Sequence, residues 1–225
     1  MFERLKLLIG EDNFNKISET LVLVVGVGGV GGYTVTSLVR SGVKNIIIID
    51  YDIVDITNIN RQIIAYHSTI GKKKVDVLEK MLLDINPEVN VIKYDMFLNK
   101  DNVSEIFDKY NIDYVVDACD SIPTKCSIIE YCLNKDIKMI SSMGTGNKLD
   151  PTKLEITDIR RTINDPVARK IRKWVKDNKI TKKIPVLCSG EVPKKVGKIV
   201  SSNSFVPASA GLIITSHIIN DIIKE

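Results

Sequence analysis

The chain has 225 residues, 44% of them hydrophobic and 27% charged, with a net charge of +4. This is the composition of an ordinary globular protein, long enough for one large α/β domain and short for two. No apolar run approaches the ~20 residues that cross a bilayer, and Met1-Phe2-Glu3-Arg4 opens no secretory segment, so cytoplasmic residence is expected.

In chain order, Glu11 to Ile17 reads as a short helix and Leu21 to Val25 as the first strand. A helix from near Gly29 to about Ser41 buries Val30, Val35, Leu38 and Val39, and Gly42 comes next, where a positive φ is wanted. Ile46 to Ile49 is a second strand, continuously apolar as expected of a parallel strand covered on both faces. Residues 58 to 66 read as a helical turn, and Lys72 to Ile85 as a helix stopped by Asn86-Pro87. Val89 to Tyr94 is a third strand, Asn102 to Tyr110 a helix, Asp113 to Asp117 a fourth strand, Pro123 to Asn134 a helix and Ile137 to Ser142 a fifth strand. This alternation predicts a doubly wound, mostly parallel sheet of Rossmann-like type. After Gly144 the rhythm changes. Leu154 to Asp158 and Pro185 to Cys188 read as strands, and a basic helix runs from Asp165-Pro166 to near Lys176, with Asp165 as N-cap. Residues 189 to 203 read as loop, and Pro207 to Ile223 as a last helix with Ala210, Ile213, Ile214, His217, Ile218 and Ile222 inward. The expected organisation is a single domain over 1–225, with a nucleotide-binding core at 21–142 and a basic elaboration at 143–225.

The first strand leads into Gly26-Val27-Gly28-Gly29-Val30-Gly31. Glycines here permit a tight turn, let backbone N–H groups approach a phosphate and allow close helix–strand packing. Asp50 lies nineteen residues past Gly31, at the end of the second strand, where a carboxylate accepts from ribose hydroxyls. These features fit NAD, FAD or ATP alike. The residues beyond Asp50 discriminate, because Asp52, Asn58, Arg61, Gln62 and Lys74 crowd behind the second strand. An Arg fork, neutral amide donors and a compact Lys charge suit a triphosphate undergoing nucleotidyl transfer. Hydride transfer would leave them idle. Asp120, past the fourth strand, is placed to hold Mg²⁺ bridging phosphates, with an N-cap role as the plain alternative. Asp117 reads as structural.

The set Gly26 to Gly31, Asp50-x-Asp52-x-Val54, Asn58-x-x-Arg61-Gln62, Gly71-x-x-Lys74 and Asp117-x-x-Asp120 resembles the ubiquitin-activating-enzyme-like superfamily of ThiF, MoeB and HesA proteins. The resemblance implies a ThiF/MoeB-type adenylation fold and ATP-dependent adenylation of a carboxylate. It implies Asp50 on the ribose, Arg61 and Gln62 on phosphates, Lys74 at the reacting phosphate and Asp120 on Mg²⁺. It also implies a homodimer in which an N-terminal Arg, here Arg4, reaches a nucleotide site, often the partner's. The two zinc-binding CxxC pairs usual in ThiF and MoeB are absent. The strings Arg61-Gln62-Ile63, Ile85-Asn86-Pro87, Gly144 to Pro151, Thr157-Asp158-Ile159, Asp165-Pro166 and Ser204 to Pro207 are closer to the tRNA threonylcarbamoyladenosine dehydratase (TcdA or CsdL) branch. That branch adenylates the threonyl carboxylate of a modified adenosine in tRNA, and cyclisation then expels AMP. A shortened segment between Cys188 and Phe205 departs from its pattern.

Residues 160–198 carry thirteen Lys/Arg against three Asp/Glu. Within them Arg169, Lys170, Arg172, Lys173 and Lys176 are candidates for tRNA backbone contact, and a solvated helix face is the plainer reading. Trp174 reads as a docked side chain. The four cysteines, Cys119, Cys126, Cys132 and Cys188, form no CxxC pair, which points to free thiols in a reducing compartment. Cys188, near Ser189, Gly190, Lys194 and Lys195, could be an activated thiol, though an inert one is the simpler reading. The alternatives are a ThiF/MoeB-like enzyme activating the C-terminal Gly-Gly of a sulfur-carrier or ubiquitin-like protein, an NAD-binding oxidoreductase and a non-catalytic scaffold for sulfur-transfer partners.

Overall fold

The computed structural model describes residues 1–194, 197 and 199–224. Its strands are β1 (Leu21–Val25), β2 (Asn45–Asp50), β3 (Asn90–Asp95), β4 (Tyr114–Asp117), β5 (Lys138–Ser142), β6 (Leu154–Asp158) and β7 (Pro185–Ser189). Among the described residues these form one sheet in the order β3-β2-β1-β4-β5-β7-β6. Every pairing is parallel except β6 with β7. Helices α1 (Glu3–Ile9), α2 (Glu11–Glu19), α3 (Gly31–Arg40), α4 (Lys74–Ile85), α5 (Val103–Phe107), α6 (Ile122–Lys135), α7 (Pro166–Asp177) and α8 (Phe205–Ile223) surround it.

The apolar strands feed two cores because successive side chains leave opposite faces. Val22, Val24, Ile46 and Ile48 pack under α3, α4 and α8. Leu23, Val25, Ile47 and Ile49 pack with Phe107 of α5, Ile128 of α6 and Ile171 of α7. The expected doubly wound sheet is therefore present, and strand order reverses between β1 and β4. That reversal opens a crevice at the carboxyl ends, where ligands of such sheets sit.

Some elements differ from expectation. The helix α1 carries no buried residue, so no apolar stripe announced it. Residues 58 to 66 make one short turn, with the Gln62 N–H bonded to the Asn58 carbonyl at 2.9 Å, between 3-10 turns at Ile56–Asn58, capped by Asp55, and His67–Thr69. The helix α5 stops at Phe107. On α8, Ile213 packs against the core from a half-buried position, as expected, while His217 is only half-buried; the inner face also uses Gly211 and Thr215. The reason is close approach to α3. A Cβ on Gly211 would stand 2.6 Å from the Val30 carbonyl oxygen, and the Thr215 hydroxyl donates to the Thr34 carbonyl at 3.2 Å. By length and composition α8 is also apolar enough to cross a membrane, contrary to expectation. In this fold it is a core helix, with Val206, Ala210, Ile214 and Ile218 buried.

Candidate active site

A cleft of about 560 Å³ opens at the carboxyl ends of β1, β2, β4 and β5. Gly26, Gly28, Gly29, Asp50, Asp52, Asn58, Arg61, Gln62, Lys74 and Asp120 all line it. The first glycine has φ +83°, and a Cβ there would stand 2.8 Å from the Ala118 carbonyl oxygen. The β1 loop can pass under the β4 loop only because that atom is missing. Gly31 lies below the cleft wall, and its own Cβ would overlap the Gly26 carbonyl.

Asp50 is buried at the end of β2. Its Oδ2 accepts from the Val27 N–H at 2.7 Å and its Oδ1 from the Asp52 N–H at 2.9 Å. Burial raises its pKa above the ordinary carboxylate value, while nearby Lys74 and the two N–H groups pull it down. Lys74 begins α4 with a buried side chain, and its Nζ donates to Asp52 Oδ2 at 2.6 Å. The pair joins the β2 loop to the first turn of α4.

Arg61 and Asn58 sit on the turn after Asp55. Asn58 Oδ1 accepts from the Asp55 N–H at 3.1 Å, which fixes the turn. Arg61 donates through one guanidinium nitrogen, to the Thr57 carbonyl at 2.7 Å and to Asn60 Oδ1 at 3.0 Å. Gln62 is buried beside Gly28, and its Oε1 has no hydrogen-bond partner among the described residues. A buried unsatisfied acceptor is costly, and a ligand donor in the cleft would relieve it.

Asp120 is exposed on the β4 loop. Ser121 takes the capping position of α6, accepting from the Thr124 N–H at 3.4 Å, so the N-cap alternative for Asp120 does not hold. Among the described residues no cluster of three metal-ligand side chains exists. A single carboxylate on the cleft rim could hold Mg²⁺ only where a bound ligand and waters supply the other oxygens.

Asp117 is structural, as expected, and its partner was missed. Lys125 Nζ lies 3.1 Å from both Asp117 oxygens and donates to the Ser142 carbonyl at 2.7 Å, with both side chains buried. Burial works against the Lys125 charge, yet Asp117, together with smaller pulls from Cys119 and Asp120, outweighs it and pushes the pKa up. A Lys in the first turn of an apolar helix carries no visible signal in sequence. The same is true of Tyr51 and Phe97, whose rings meet edge to face at 5.1 Å on the cleft wall.

Other expected residues lie elsewhere. Arg4 is exposed on α1 and is not among the residues lining this cleft. On α7, Arg169, Lys170, Lys173 and Lys176 are exposed, whereas Arg172 is half-buried and donates to the Thr162 carbonyl at 2.7 Å and to its hydroxyl. Asp165 caps α7 as expected, accepting from the Ala168 N–H at 2.8 Å. It also forms a buried pair with Lys148 at 2.8 Å. Trp174 packs against the core under α7. Cys188 is buried on β7, and burial pushes its thiol up to about 11, with Asp165 adding to the shift. An enclosed thiol of this kind fits the inert reading; Lys195, invoked as a neighbour, lies outside the described residues.

Comparison with known proteins agrees with this fold. The ThiF family profile matches residues 2–158. The chain is 42% identical over 242 aligned residues to a Bacillus subtilis (strain 168) protein named tRNA threonylcarbamoyladenosine dehydratase, covering 100% of this chain and 95% of that one. Its fold matches the Escherichia coli dehydratase TcdA in complex with ATP at a TM-score of 0.94, with 33% identity over 99% of this chain and 93% of that one. The AMP complex of the same E. coli protein matches at 0.94 with 32% identity, over 98% and 93%. With the family profile spanning the glycine loop, the Arg61 and Lys74 cluster and most of the parallel sheet, the chain belongs to the ThiF family.

Proposed function

We propose that this protein is an ATP-dependent tRNA threonylcarbamoyladenosine dehydratase. The observation that carries the reading is the cleft, in which Asp50, Arg61, Gln62, Lys74 and Asp120 converge beside the glycine loop. The names of the relatives supply the substrate. The threonyl carboxylate of the modified nucleoside attacks the α-phosphorus of ATP, and pyrophosphate leaves. Asp50 holds the ribose through its carboxylate, and the Gly28 and Gly29 N–H groups, which have no acceptor among the described residues, are available to the phosphates. Arg61 and Lys74 neutralise charge that builds on the phosphoryl oxygens, and the Asp52 contact fixes Lys74 in place. Mg²⁺, held by Asp120 and phosphate oxygens, would supply further charge neutralisation at the leaving pyrophosphate. The acyl adenylate then closes on its own carbamoyl group and releases AMP.

The exposed cations of α7 suit a polyanion such as tRNA. A cytoplasmic homodimer belongs to the same reading. It is supported by free cysteines, Cys119, Cys126, Cys132 and Cys188, and by Leu7 and Leu8 standing 87% and 80% exposed on α1 beside Arg4. In such a dimer Arg4 would reach the partner's nucleotide.

The test is incubation of the pure protein with ATP, Mg²⁺ and tRNA bearing threonylcarbamoyladenosine, followed by nucleoside mass spectrometry under mild conditions. The expected result is loss of one water with ATP consumed. If the nucleoside is unchanged, while ATP–pyrophosphate exchange begins when a Gly-Gly-ended protein is added, the protein is a ThiF-like activator of a sulfur-carrier or ubiquitin-like partner.

A further inference from the structure

We infer that the peptide segment Gly144-Thr145-Gly146 seats the threonyl carboxylate of the substrate and the carbonyl oxygen that gains charge as the ring closes. The inference rests on the dehydratase reading and assigns part of its site.

The segment follows β5 and lines the cleft. The flanking N–H groups are paired, Met143 with the Leu187 carbonyl at 2.8 Å and Asn147 with the Ser201 carbonyl at 2.8 Å. Between them, the N–H groups of Gly144, Thr145 and Gly146 have no acceptor among the described residues. The Thr145 hydroxyl also has none. The segment is only half-buried, but three successive N–H groups and a hydroxyl with no partner among the described residues, on a cleft wall, are donors of the kind that take an anion.

Sheet order says which anion. The run β2-β1-β4-β5 places the Asp50 loop, the glycine loop, the Asp120 loop and this segment side by side. Neighbouring strands are about 4.8 Å apart. The ribose end lies at β2 and the phosphates at β1 and β4, so the free donors at β5 fall on the side of the α-phosphate away from the ribose. The group that attacks that phosphorus belongs there. Neutral donors also suit a carboxylate that must stay nucleophilic, because a paired cation would hold its electrons more tightly.

The segment is preorganised. Lys148 Nζ, anchored on Asp165, donates to the Gly144 carbonyl at 2.8 Å. Asn147 Oδ1 accepts from the Ser201 N–H at 2.8 Å and from its hydroxyl at 2.7 Å. A Cβ on Gly146 would overlap Val200, and one on Gly144 would meet Asp165 Oδ2 at 3.0 Å. Thr145 is therefore the only one of the three positions with room for a side chain, and donors fixed before reaction need no reorganisation during it.

In the first step a carboxylate oxygen bonds to the α-phosphorus as the bond to pyrophosphate breaks. In the second, a carbamoyl atom bonds to the activated carbonyl carbon and gives its proton to solvent. The C–O bond to AMP breaks with its electron pair, so the oxygen lost as water leaves in AMP. The segment holds the remaining oxygen in both steps.

Three variants of the full chain test this. Thr145→Pro removes one N–H, Thr145→Val removes the hydroxyl alone, and Thr145→Ser restores it. ATP affinity, measured without tRNA, reports the integrity of the nucleotide site. We expect Thr145→Pro to lower kcat/KM for modified tRNA at least tenfold, Thr145→Val to lower it severalfold and Thr145→Ser to stay near wild type, all with ATP affinity within twofold. Equal activity in all three overturns the inference, as does a parallel loss of ATP affinity in Thr145→Val. If Thr145→Pro alone fails to bind ATP, Thr145→Val against Thr145→Ser decides. A wild-type protein that leaves modified tRNA unchanged removes the dehydratase reading itself, and this inference with it.

Discussion

At the residue scale the cleft is lined by buried charges held by nearby carboxylates. Lys74 is buried and bonded to Asp52 at 2.6 Å, so it is held in place within the cleft. Lys74→Ala should lower ATP–pyrophosphate exchange by roughly 10²–10³-fold, the cost of one preorganised electrostatic group, and intact exchange would remove its assigned role. Lys125 is different, because it faces Asp117 beneath the β4 loop. Replacing it by Met leaves a buried carboxylate without its cation, a loss of about 3–5 kcal/mol. A thermal melt of Lys125→Met should fall well below wild type, and Lys125→Arg should recover part of the loss. Cys188, pushed up to about 11 by burial, is a neutral thiol at neutral pH. Its alkylation in the native protein should rise with each pH unit and show no plateau before about pH 11. A plateau near neutrality would mean a thiolate that this environment does not support.

At the element scale the decisive contacts are close approaches of backbone. Gly211 of α8 lies against the Val30 carbonyl at the start of α3, with 2.6 Å left for a Cβ. Gly211→Ala must push α8 from α3 and should cost about 1–3 kcal/mol, read as a lower urea midpoint. The helix periodicity of 207–223 did not reveal this face, because a glycine and a threonine give no apolar signal. Strands and capped helices were more legible. Val22 to Val25 and Ile46 to Ile49 alternate between two cores, so both cores show as uninterrupted apolar runs. Asp165 announces α7 by the pairing of an N-cap with Pro166. The helix α1 had no such mark, since none of its residues is buried.

At the scale of the whole molecule, charge is segregated. The cations Arg169, Lys170, Lys173 and Lys176 are exposed on α7, while Arg172 turns back to Thr162. If α7 meets the tRNA backbone, Lys170→Ala and Lys173→Ala should each weaken binding and lower the slope of log affinity against log salt by about 1. Arg172→Ala should leave that slope unchanged and act through the Thr162 turn. An unchanged slope for both lysines would place tRNA on another face.

Sequence alone determined the parallel sheet and named most of the polar residues that line the cleft at its carboxyl edge. Those features are local: a glycine pattern between strand and helix, carboxylates at strand ends, and an Arg and a Lys at fixed offsets from them. Tertiary structure decided what depends on residues far apart in the chain. It paired Lys125 with Asp117 and the Ser142 carbonyl, buried Lys148 on Asp165, and raised the Cys188 thiol by enclosing it. It also left the Gly144, Thr145 and Gly146 N–H groups without an acceptor among the described residues, beside the Asp120 loop. Periodicity and spacing report which face of an element is buried. Only the packed sheet decides which groups meet across its carboxyl edge, and which find no partner there.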